Sequence, residues 1–330
     1  MMNGVPIVDI GAFENGDANV RRTISGDLAR AVEEIGFLTV TGHGVSKTVI
    51  KKIREGAWKL FDLPVVTKER YLDRSMALNR GYTPFATEHN GSSGTEKAPA
   101  DLREGFVYGP FDRPDDEYHS SAEAAFAYQA NIWPDVIPGL DNTLKAYYRA
   151  LESFDTRLQR VFAVALGLDI NFFANKFDRH ASVVRLLHYP AQDVDPTVGQ
   201  LRCGVHSDFG SHTILLADDA TGGLEVLAKN GAWISVSPPA GSFIVNIGDL
   251  MMMWTNDRWL SNLHRVINPP ATVRGQAERL SIAYFVHPNR DALIECIPTC
   301  REDDEPVRHP GVLAGDYRKM QVTKVTAGMQ

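Results

Sequence analysis

The segment His206-Ser207-Asp208 and the later residue His264 carry side chains of the types that bind metal ions. His206 and Asp208 stand two positions apart at the end of a predicted strand. Side chains at positions i and i+2 of an extended chain point to the same face, so one imidazole and one carboxylate can converge on a single ion. Two ligands hold a metal poorly. A third must come from a strand that is distant in the sequence, and His264 is the candidate.

Two neutral imidazoles and one carboxylate on a triangular face leave the other positions of an octahedral ion open. This donor set is associated with non-haem iron(II) oxygenases, in which a cosubstrate and O2 occupy the open positions together. Chance is the competing explanation, because the chain has ten histidines and one His-x-Asp can occur by accident. The ordered occurrence of His206, Asp208, His264 and a second polar pair argues against chance.

That second pair is Arg279 and Ser281, which flank Leu280 at the start of an apolar predicted strand. Their spacing again places both side chains on one face. A guanidinium can grip a carboxylate through two parallel hydrogen bonds, and a neighbouring hydroxyl suits the same ligand. Because an unpartnered buried arginine is costly, a carboxylate of the protein or of a ligand is expected to meet Arg279.

The composition of the chain excludes several other classes of function. Its 330 residues are 44% hydrophobic and 23% charged, which is ordinary for a folded globular protein. The formal net charge is −7 and no Lys or Arg cluster stands out, which disfavours nucleic acids and anionic membranes as partners. No signal peptide or membrane-spanning stretch is recognised. The three cysteines, Cys203, Cys296 and Cys300, are odd in number and include no CxxC pair, which predicts a reduced, cytoplasmic protein without a disulfide framework.

The elements that must position these residues change in character near residue 181. Before it, apolar residues at helical spacing predict amphipathic helices over residues 27–35, 47–63 and 140–166. Residues 80–104 are rich in Gly, Ser, Thr and Pro, which predicts an irregular loop.

After residue 181, eight short β-type runs are separated by Gly, Pro, Asn or Asp turns, with no helical pattern between them. This succession of short strands without intervening helices predicts a sandwich, jelly roll or barrel and disfavours an alternating βαβ sheet. No linker separates the two halves, so the helical half is expected to flank the β core. The predicted strands are residues 183–189, 201–205, 213–217, 224–227, 233–236, 243–247, 264–267 and 280–286.

Taken together, the metal set and the Arg279-Leu280-Ser281 motif resemble the signature of the iron(II)/2-oxoglutarate-dependent dioxygenases, in the isopenicillin N synthase-like branch. The resemblance extends over most of the chain in the family's order. Its further segments are Pro6-Ile7-Val8-Asp9, residues 36–44 (GFLTVTGHG), residues 185–190, Gly222-Gly223-Leu224-Glu225-Val226 and Asn246-Ile247-Gly248-Asp249.

The resemblance implies a mainly β fold, a double-stranded β-helix (jelly roll) core with flanking α-helices. It implies a single catalytic unit over residues 1–330. Residues 1–180 would form a mostly helical N-terminal flank, residues 181–290 the iron(II)/2-oxoglutarate core, and residues 291–330 a C-terminal extension.

The resemblance also implies what each site residue does. His206, Asp208 and His264 would bind iron(II), and 2-oxoglutarate would chelate that iron with its distal carboxylate on Arg279 and Ser281. Tyr189 falls where many relatives place another hydrogen-bond donor to the cosubstrate, although Leu187 stands where plant members often carry Asn. With O2, the enzyme would hydroxylate, desaturate or cyclise a small-molecule metabolite and release succinate and CO2.

Four residues fall in segments that form the substrate pocket in relatives. Phe285 matches a pocket-lining position, and Tyr82, Phe85 and Arg103 belong to segments that form a lid or pocket wall. Ordinary core or loop roles are the alternatives for all four.

Other polar residues are expected to be structural. His188, His212 and His287 match no ligand position, and each is expected to be packed or hydrogen-bonded, His287 near the pocket. Asp249 is expected to be a turn residue and not a ligand.

Other functions stay open at this point. An iron(II) oxidase of the isopenicillin N synthase type keeps the Arg-x-Ser pair but takes no 2-oxoglutarate. A non-catalytic cupin-like binding protein has no need for an intact set of iron ligands. A metal-dependent hydrolase or isomerase would normally add a carboxylate base near the metal, and no motif supplies one. The substrate and the oligomeric state are not predicted.

Overall fold

The structure, a computed structural model, describes residues 4–73, 80–90, 98–217, 223–302 and 304–327, without the side chains of residues 325–327. Most of the helical residues lie before residue 181, as the periodicity predicts. The helices are α1 (Ala18–Glu34), α2 (Lys47–Phe61), α3 (Val65–Lys68), α4 (Glu117–Ser120), α5 (Leu140–Ala165), α6 (Ala174–Phe177), α7 (Asp249–Trp254) and α8 (Ala314–Ala327).

All eight strands predicted after residue 181 are present, with ends shifted by a few residues at most. The strands in chain order are β1 (Ile7–Asp9), β2 (Phe37–Thr41), β3 (Gly81–Thr83), β4 (Glu104–Tyr108), β5 (Val183–Tyr189), β6 (Cys203–His206), β7 (His212–Ala217), β8 (Leu224–Leu227), β9 (Trp233–Ser235), β10 (Phe243–Ile247), β11 (His264–Val266), β12 (Arg279–Val286), β13 (Leu293–Ile294) and β14 (Val312–Leu313).

Two sheets built from these strands form the core. The larger described sheet has the order β1-β2-β10-β7-β12-β5-β4-β3, and the smaller has the order β6-β11-β8-β9. Apart from the parallel pair β1–β2, the ladders among the described strands are antiparallel. One hydrophobic cluster lies between the sheets, and a larger one lies between the eight-stranded sheet and the helices. The predicted jelly roll with flanking helices is confirmed.

Helix α5 shows how the helical layer joins the sheet. Its apolar stripe packs with α1 and α2 and shares one hydrophobic cluster with the outer face of the large sheet. Within this layer Nε2 of His212, on β7, donates a 2.7 Å hydrogen bond to Oδ1 of Asp155, on α5. Both residues are buried, so His212 has the packed, hydrogen-bonded role expected of it.

Strand β12 shows the alternation that positions the polar pair. Leu280, Ile282 and Tyr284 belong to the cluster under the helices. Arg279 and Ser281 alternate with them and therefore face the space between the sheets. The same strand thus serves the core on one face and the site on the other.

The prediction of an irregular loop over residues 80–104 is wrong in part. Residues Gly81–Thr83 form β3, which pairs with β4 so that Gly81 stands opposite Val107. Gly81 has φ 74°, and a Cβ there would lie 2.1 Å from the carbonyl oxygen of Tyr71, so the residue must be glycine. The ladder with β4 overrides the local composition, which by itself favours a loop. Residues 91–97 of this segment lie outside the described residues.

The N-terminal and C-terminal regions both add to the two-sheet core. Strands β1 and β2 extend one edge of the large sheet, and β3 and β4 extend the other. After residue 290 the chain adds the β13–β14 ladder and α8. Among the described helices, none combines the length and the apolar character that a membrane crossing requires.

Candidate active site

Three side chains of the types that bind metal ions meet where β6 and β11 lie side by side. The antiparallel ladder sets His206 directly opposite His264, and the two imidazole centroids are 4.2 Å apart. Asp208 follows β6, and its Oδ1 lies 3.9 Å from Nε2 of His206 and 3.8 Å from Nε2 of His264. The three ligand atoms are all within 4.8 Å of one another. One ion can therefore contact all three.

Backbone carbonyls orient both imidazoles. Nδ1 of His206 donates to the carbonyl of Gly204 at 2.9 Å, and Nδ1 of His264 donates to the carbonyl of Asn262 at 3.1 Å. Because a carbonyl only accepts, each proton is on Nδ1 and each Nε2 lone pair is available to a metal. Burial and the adjacent His206 lower the pKa of His264 to about 4, which keeps that ring neutral near pH 7.

Two buried side chains hold Asp208. Its Oδ2 accepts hydrogen bonds from Oγ1 of Thr213 at 2.6 Å and from Nδ2 of Asn246 at 2.7 Å. These donors stand opposite each other in the β7–β10 ladder. Although burial alone would raise the pKa of Asp208, the two imidazoles and these hydrogen bonds hold it below its usual value. The carboxylate is therefore ionised, with Oδ1 directed at the imidazoles.

Arg279, Ser281 and Tyr189 form a second polar group between the sheets. Arg279 and Ser281 are 4% and 2% exposed, and Oγ of Ser281 has no hydrogen-bond partner among the described residues. Tyr189 stands opposite Arg279 in the β5–β12 ladder. Gly223, with φ 103°, lies against the guanidinium, and a Cβ there would come within 3.1 Å of Nη1. This group has the charge and the hydroxyl that a ligand carboxylate needs.

A cavity of about 470 Å³ opens beside His206 and Asp208. Tyr82, Arg103 and Phe285 line it, whereas Phe85 is 45% exposed and is not among the described lining residues. The assignment of Phe85 to a substrate pocket therefore stays a prediction.

Two family models match the chain. The model of the 2OG-Fe(II) oxygenase superfamily matches residues 180–288, and the model described as non-haem dioxygenase in morphine synthesis N-terminal matches residues 5–136. The 2-oxoglutarate-Fe(II) type oxidoreductase hxnY of Emericella nidulans is 32% identical, over 94% of this chain and 87% of its own length. The chain belongs to the 2OG-Fe(II) oxygenase superfamily.

Further relatives of this oxygenase support the same family assignment. Validamycin A dioxygenase of Streptomyces hygroscopicus subsp. limoneus is 33% identical over 90% of this chain and 80% of that protein. The crystal structure of a full-length Neurospora crassa protein in complex with alpha-KG and thymine superposes with a TM-score of 0.83 at 28% identity, covering 97% of this chain and 96% of that one. The same Neurospora crassa protein has also been crystallised with 5-formyluracil, so this neighbour binds small molecules.

These findings confirm an iron(II)/2-oxoglutarate-dependent dioxygenase whose cofactors and cosubstrates are iron(II), 2-oxoglutarate and O2. They support neither the oxidase that takes no 2-oxoglutarate nor the cupin-like binding protein. The donor set of His206, Asp208 and His264 fits the metal chemically, and the buried Ser281 hydroxyl beside Arg279 fits a carboxylate.

Several residues of the oxygenase site were not identified from the sequence. Thr213 and Asn246 are each a polar residue within an apolar predicted strand, and Asn246 also lies in a segment that resembles the family, but neither signal gave them a role at the site. Arg80 and Arg318 line the cavity from opposite ends of the chain, and no local pattern marks them. Asp249, expected in a turn, begins α7 and accepts hydrogen bonds from Oγ of Ser261 and the hydroxyl of Tyr317.

Proposed function

We propose that this oxygenase oxidises a C–H bond of a small-molecule metabolite, with His206, Asp208 and His264 as the iron(II) ligands. The observation that carries the proposal is the convergence of their three ligand atoms beside an open cavity. Each imidazole has its Nε2 lone pair available, and Asp208 has one oxygen directed at the imidazoles. Two imidazoles and one carboxylate leave the remaining coordination positions free for cosubstrate and O2.

For the cosubstrate, we assign the distal carboxylate of 2-oxoglutarate to Arg279, Ser281 and Tyr189. The Arg279 guanidinium can pair with both oxygens of a carboxylate, and the Ser281 hydroxyl would gain the partner it lacks among the described residues. Burial raises the pKa of Tyr189, so the phenol keeps its proton and can donate. A side chain at position 223 would crowd the guanidinium, because a Cβ on Gly223 would lie 3.1 Å from Nη1 of Arg279.

When bound, iron(II) supplies the redox chemistry that couples O2 and the decarboxylation of 2-oxoglutarate to succinate and CO2 with oxidation of a substrate C–H bond. The residues of the chain position the metal ligand and the substrate and exclude water. Thr213 and Asn246 fix the Asp208 carboxylate. Phe209, Phe285 and Val183 give the cavity an apolar wall against which a C–H bond can lie. Hydroxylation is the expected outcome, with desaturation or cyclisation as variants.

The organisation proposed is one catalytic unit over residues 1–330. Its parts are an N-terminal flank over residues 1–180, the core over residues 181–290, and a C-terminal extension over residues 291–330. The extension contributes Arg318 and Val322 to the cavity wall, which supports a single unit. The proposed compartment is the reducing cytoplasm, and the three free cysteines, Cys203, Cys296 and Cys300, support it.

The test is the anaerobic reconstitution of the purified chain with iron(II), followed by addition of 2-oxoglutarate. We expect a weak visible charge-transfer band and, once O2 is admitted, formation of succinate. The variant Asp208→Ala should lose both, whereas Arg279→Ala should first show a raised KM for 2-oxoglutarate. Retained turnover in Asp208→Ala would contradict the ligand assignment. A wild-type chain with neither band nor succinate would overturn the proposal as a whole.

A further inference from the structure

Asp101 is a buried carboxylate that belongs to neither the proposed iron site nor the proposed 2-oxoglutarate site. It is 1% exposed and lies in the segment between β3 and β4. Its Oδ1 accepts a 2.9 Å hydrogen bond from the backbone N–H of Gly204, on β6. Its Oδ2 accepts a 2.8 Å hydrogen bond from Nδ2 of Asn90 and lies 3.3 Å from Nη2 of Arg103. The two oxygens of Asp101 thus join two different parts of the chain.

Gly204 is the residue through which this carboxylate reaches the iron site. The Gly204 carbonyl accepts a 2.9 Å hydrogen bond from Nδ1 of His206, and this bond leaves Nε2 of the same imidazole available to a metal. The N–H and the carbonyl of Gly204 are attached to one Cα. Because each peptide unit is planar, a partner that fixes the N–H limits how far the carbonyl can turn. Asp101 is therefore connected to His206 through a single residue.

The segment between β3 and β4 also packs closely against β6 at this point. A Cβ on Gly204 would lie 2.3 Å from the carbonyl oxygen of Asn90, so residue 204 must be glycine. The backbone N–H of Leu102 donates to the carbonyl of Leu201 at 3.0 Å, just before β6 begins. Backbone contacts on either side thus give the Asp101 carboxylate a defined position beside the Gly204 N–H.

Asn90 and Arg103 connect Asp101 to the substrate cavity. Both line the cavity, as does His206. Arg103 is buried and also pairs at 3.3 Å with Glu88, another lining residue. Buried ion pairs are screened much less by salt and solvent than surface pairs are. Asp101 is thus held by the cavity wall on one side and holds β6 on the other.

We infer that Asp101 is a positioning residue for the iron ligand His206. By accepting the Gly204 N–H, Asp101 fixes the carbonyl that orients the imidazole. Its contacts with Asn90 and Arg103 fix the carboxylate itself. This role rests on the proposed function, in which His206 binds iron(II), and it adds a residue outside the ligand set on which metal affinity depends.

The first measurement is the affinity of the protein for cobalt(II), a substitute for iron(II) that binds the same types of ligand. Asp101→Ala removes the acceptor of the Gly204 N–H, and we expect Kd to rise about tenfold or more, as for other residues that orient metal ligands. Asp101→Asn keeps an oxygen that can accept this hydrogen bond and should recover most of the affinity. An unchanged Kd in Asp101→Ala would contradict the role.

Asn289→Ala is the matched control. Asn289 is buried, and its Oδ1 accepts a 2.7 Å hydrogen bond from the backbone N–H of Arg179, much as Oδ1 of Asp101 accepts from Gly204. Asn289 belongs to neither the metal site nor the described cavity lining. Its replacement should therefore lower stability and leave the Kd for cobalt(II) near that of the wild type.

The second measurement separates positioning from a general loss of stability. Bound cobalt(II) shifts the proton NMR signals of its ligands, and the Nδ1–H of each coordinated imidazole gives an exchangeable signal. The wild type should show two such signals, from His206 and His264. In Asp101→Ala one signal should move or exchange faster with water, whereas the other, which the Asn262 carbonyl holds, should stay in place. Asn289→Ala should change neither. Equal changes in both signals of Asp101→Ala, or none, would overturn the role.

Asn90→Ala keeps the test decisive if Asp101→Ala does not fold. It removes one contact of the Asp101 carboxylate and leaves the Gly204 contact, so one imidazole signal should move by a smaller amount. If neither signal moved in Asn90→Ala, the role would be refuted. A wild-type chain that binds no cobalt(II), or that shows fewer than two imidazole N–H signals, would instead overturn the ligand assignment of the proposed function.

Discussion

Asp208 divides its two oxygens between two roles. Oδ2 accepts two hydrogen bonds, from Thr213 and Asn246, and Oδ1 lies near both Nε2 atoms. The two histidines are arranged in the same way, since a carbonyl engages each Nδ1 and leaves Nε2 available. Every proposed ligand therefore has a second contact that fixes which atom faces the metal.

This arrangement predicts that Thr213 controls iron affinity without touching the iron. Thr213→Val removes the hydroxyl that donates to Asp208 at 2.6 Å and keeps the side-chain shape. We expect iron(II) to bind about tenfold to a hundredfold more weakly, as for other residues that orient metal ligands. Thr213→Ser keeps the hydroxyl and is the matched control, with affinity near that of the wild type. Anaerobic titration with iron(II) measures both, and equal affinities in the two variants would refute the role.

Strands β3, β4 and β5 are joined to the helical layer by a buried ionic cluster around Glu104. Its carboxylate accepts hydrogen bonds from Nζ of Lys68 at 2.8 and 3.0 Å, from the Tyr82 hydroxyl at 2.5 Å and from Nδ1 of His188 at 2.7 Å. Nζ of Lys68 also donates to the carbonyl of Phe61. Although burial opposes it, the hydrogen bonds hold the pKa of Glu104 below its usual value.

The cluster predicts a large stability loss when its cation is removed. Lys68→Met leaves the Glu104 carboxylate buried without its main counter-charge. We expect the free energy of unfolding to fall by about 3 kcal/mol or more, which is typical when one partner of a buried ion pair is deleted. Lys59→Met, on the exposed face of α2, should change it by about 0.5 kcal/mol at most. Urea unfolding at pH 7 measures both, and similar losses in the two variants would show that the cluster does not stabilise the fold.

Glu88 forms ion pairs that join the segment between β3 and β4 to strand β5. It pairs with Arg103 and with Arg185, and although burial opposes ionisation, these charges lower its pKa to about 2. Because the pKa of Glu88 is lower in the folded chain than the value of about 4.3 expected in the unfolded chain, its ionisation stabilises the fold above that pH. This stabilisation is lost as the pH falls towards 2. The stability difference between wild type and Glu88→Gln should therefore shrink between pH 5 and pH 3. Urea unfolding across that range tests this, with Glu55→Gln as the exposed control. A constant difference would contradict it.

Strand periodicity accounts for what the sequence predicts of the site. Spacing of i and i+2 places His206 with Asp208 and Arg279 with Ser281, because alternation is a local property of a strand. His264 is a candidate from the sequence because a third ligand has to come from a distant strand, but its position opposite His206 depends on the pairing of β6 with β11, which spacing within a strand does not predict. Thr213 and Asn246 meet through the register of two strands, and only the whole fold brings Arg80 and Arg318 to the wall of one cavity. Strand β3 exists because β4 pairs with it, which no window of residues 80–104 reveals.

At the scale of the molecule, one cavity collects residues from nearly the whole chain. Its described lining runs from Leu72 in the N-terminal region to Val322 on α8 and includes two of the proposed metal ligands, His206 and Asp208. Binding at the metal site therefore involves the same elements that fold together in the two-sheet core. Folding and binding are linked, because a ligand that binds only the folded state adds to its stability.

This linkage predicts that metal and cosubstrate stabilise the whole chain. Manganese(II), a redox-inert substitute, together with 2-oxoglutarate should raise the free energy of unfolding by about 2.7 kcal/mol when the effective ligand concentration is a hundredfold above Kd. Asp208→Ala should fold without the metal but show little of this increase. Asp195→Ala, whose side chain is 91% exposed, should respond as the wild type does. Calorimetry with and without the two ligands measures the change in Tm. An equal rise in Asp208→Ala would mean that the stabilising metal binds elsewhere, because loss of that carboxylate removes the one anionic group of the proposed ligand set.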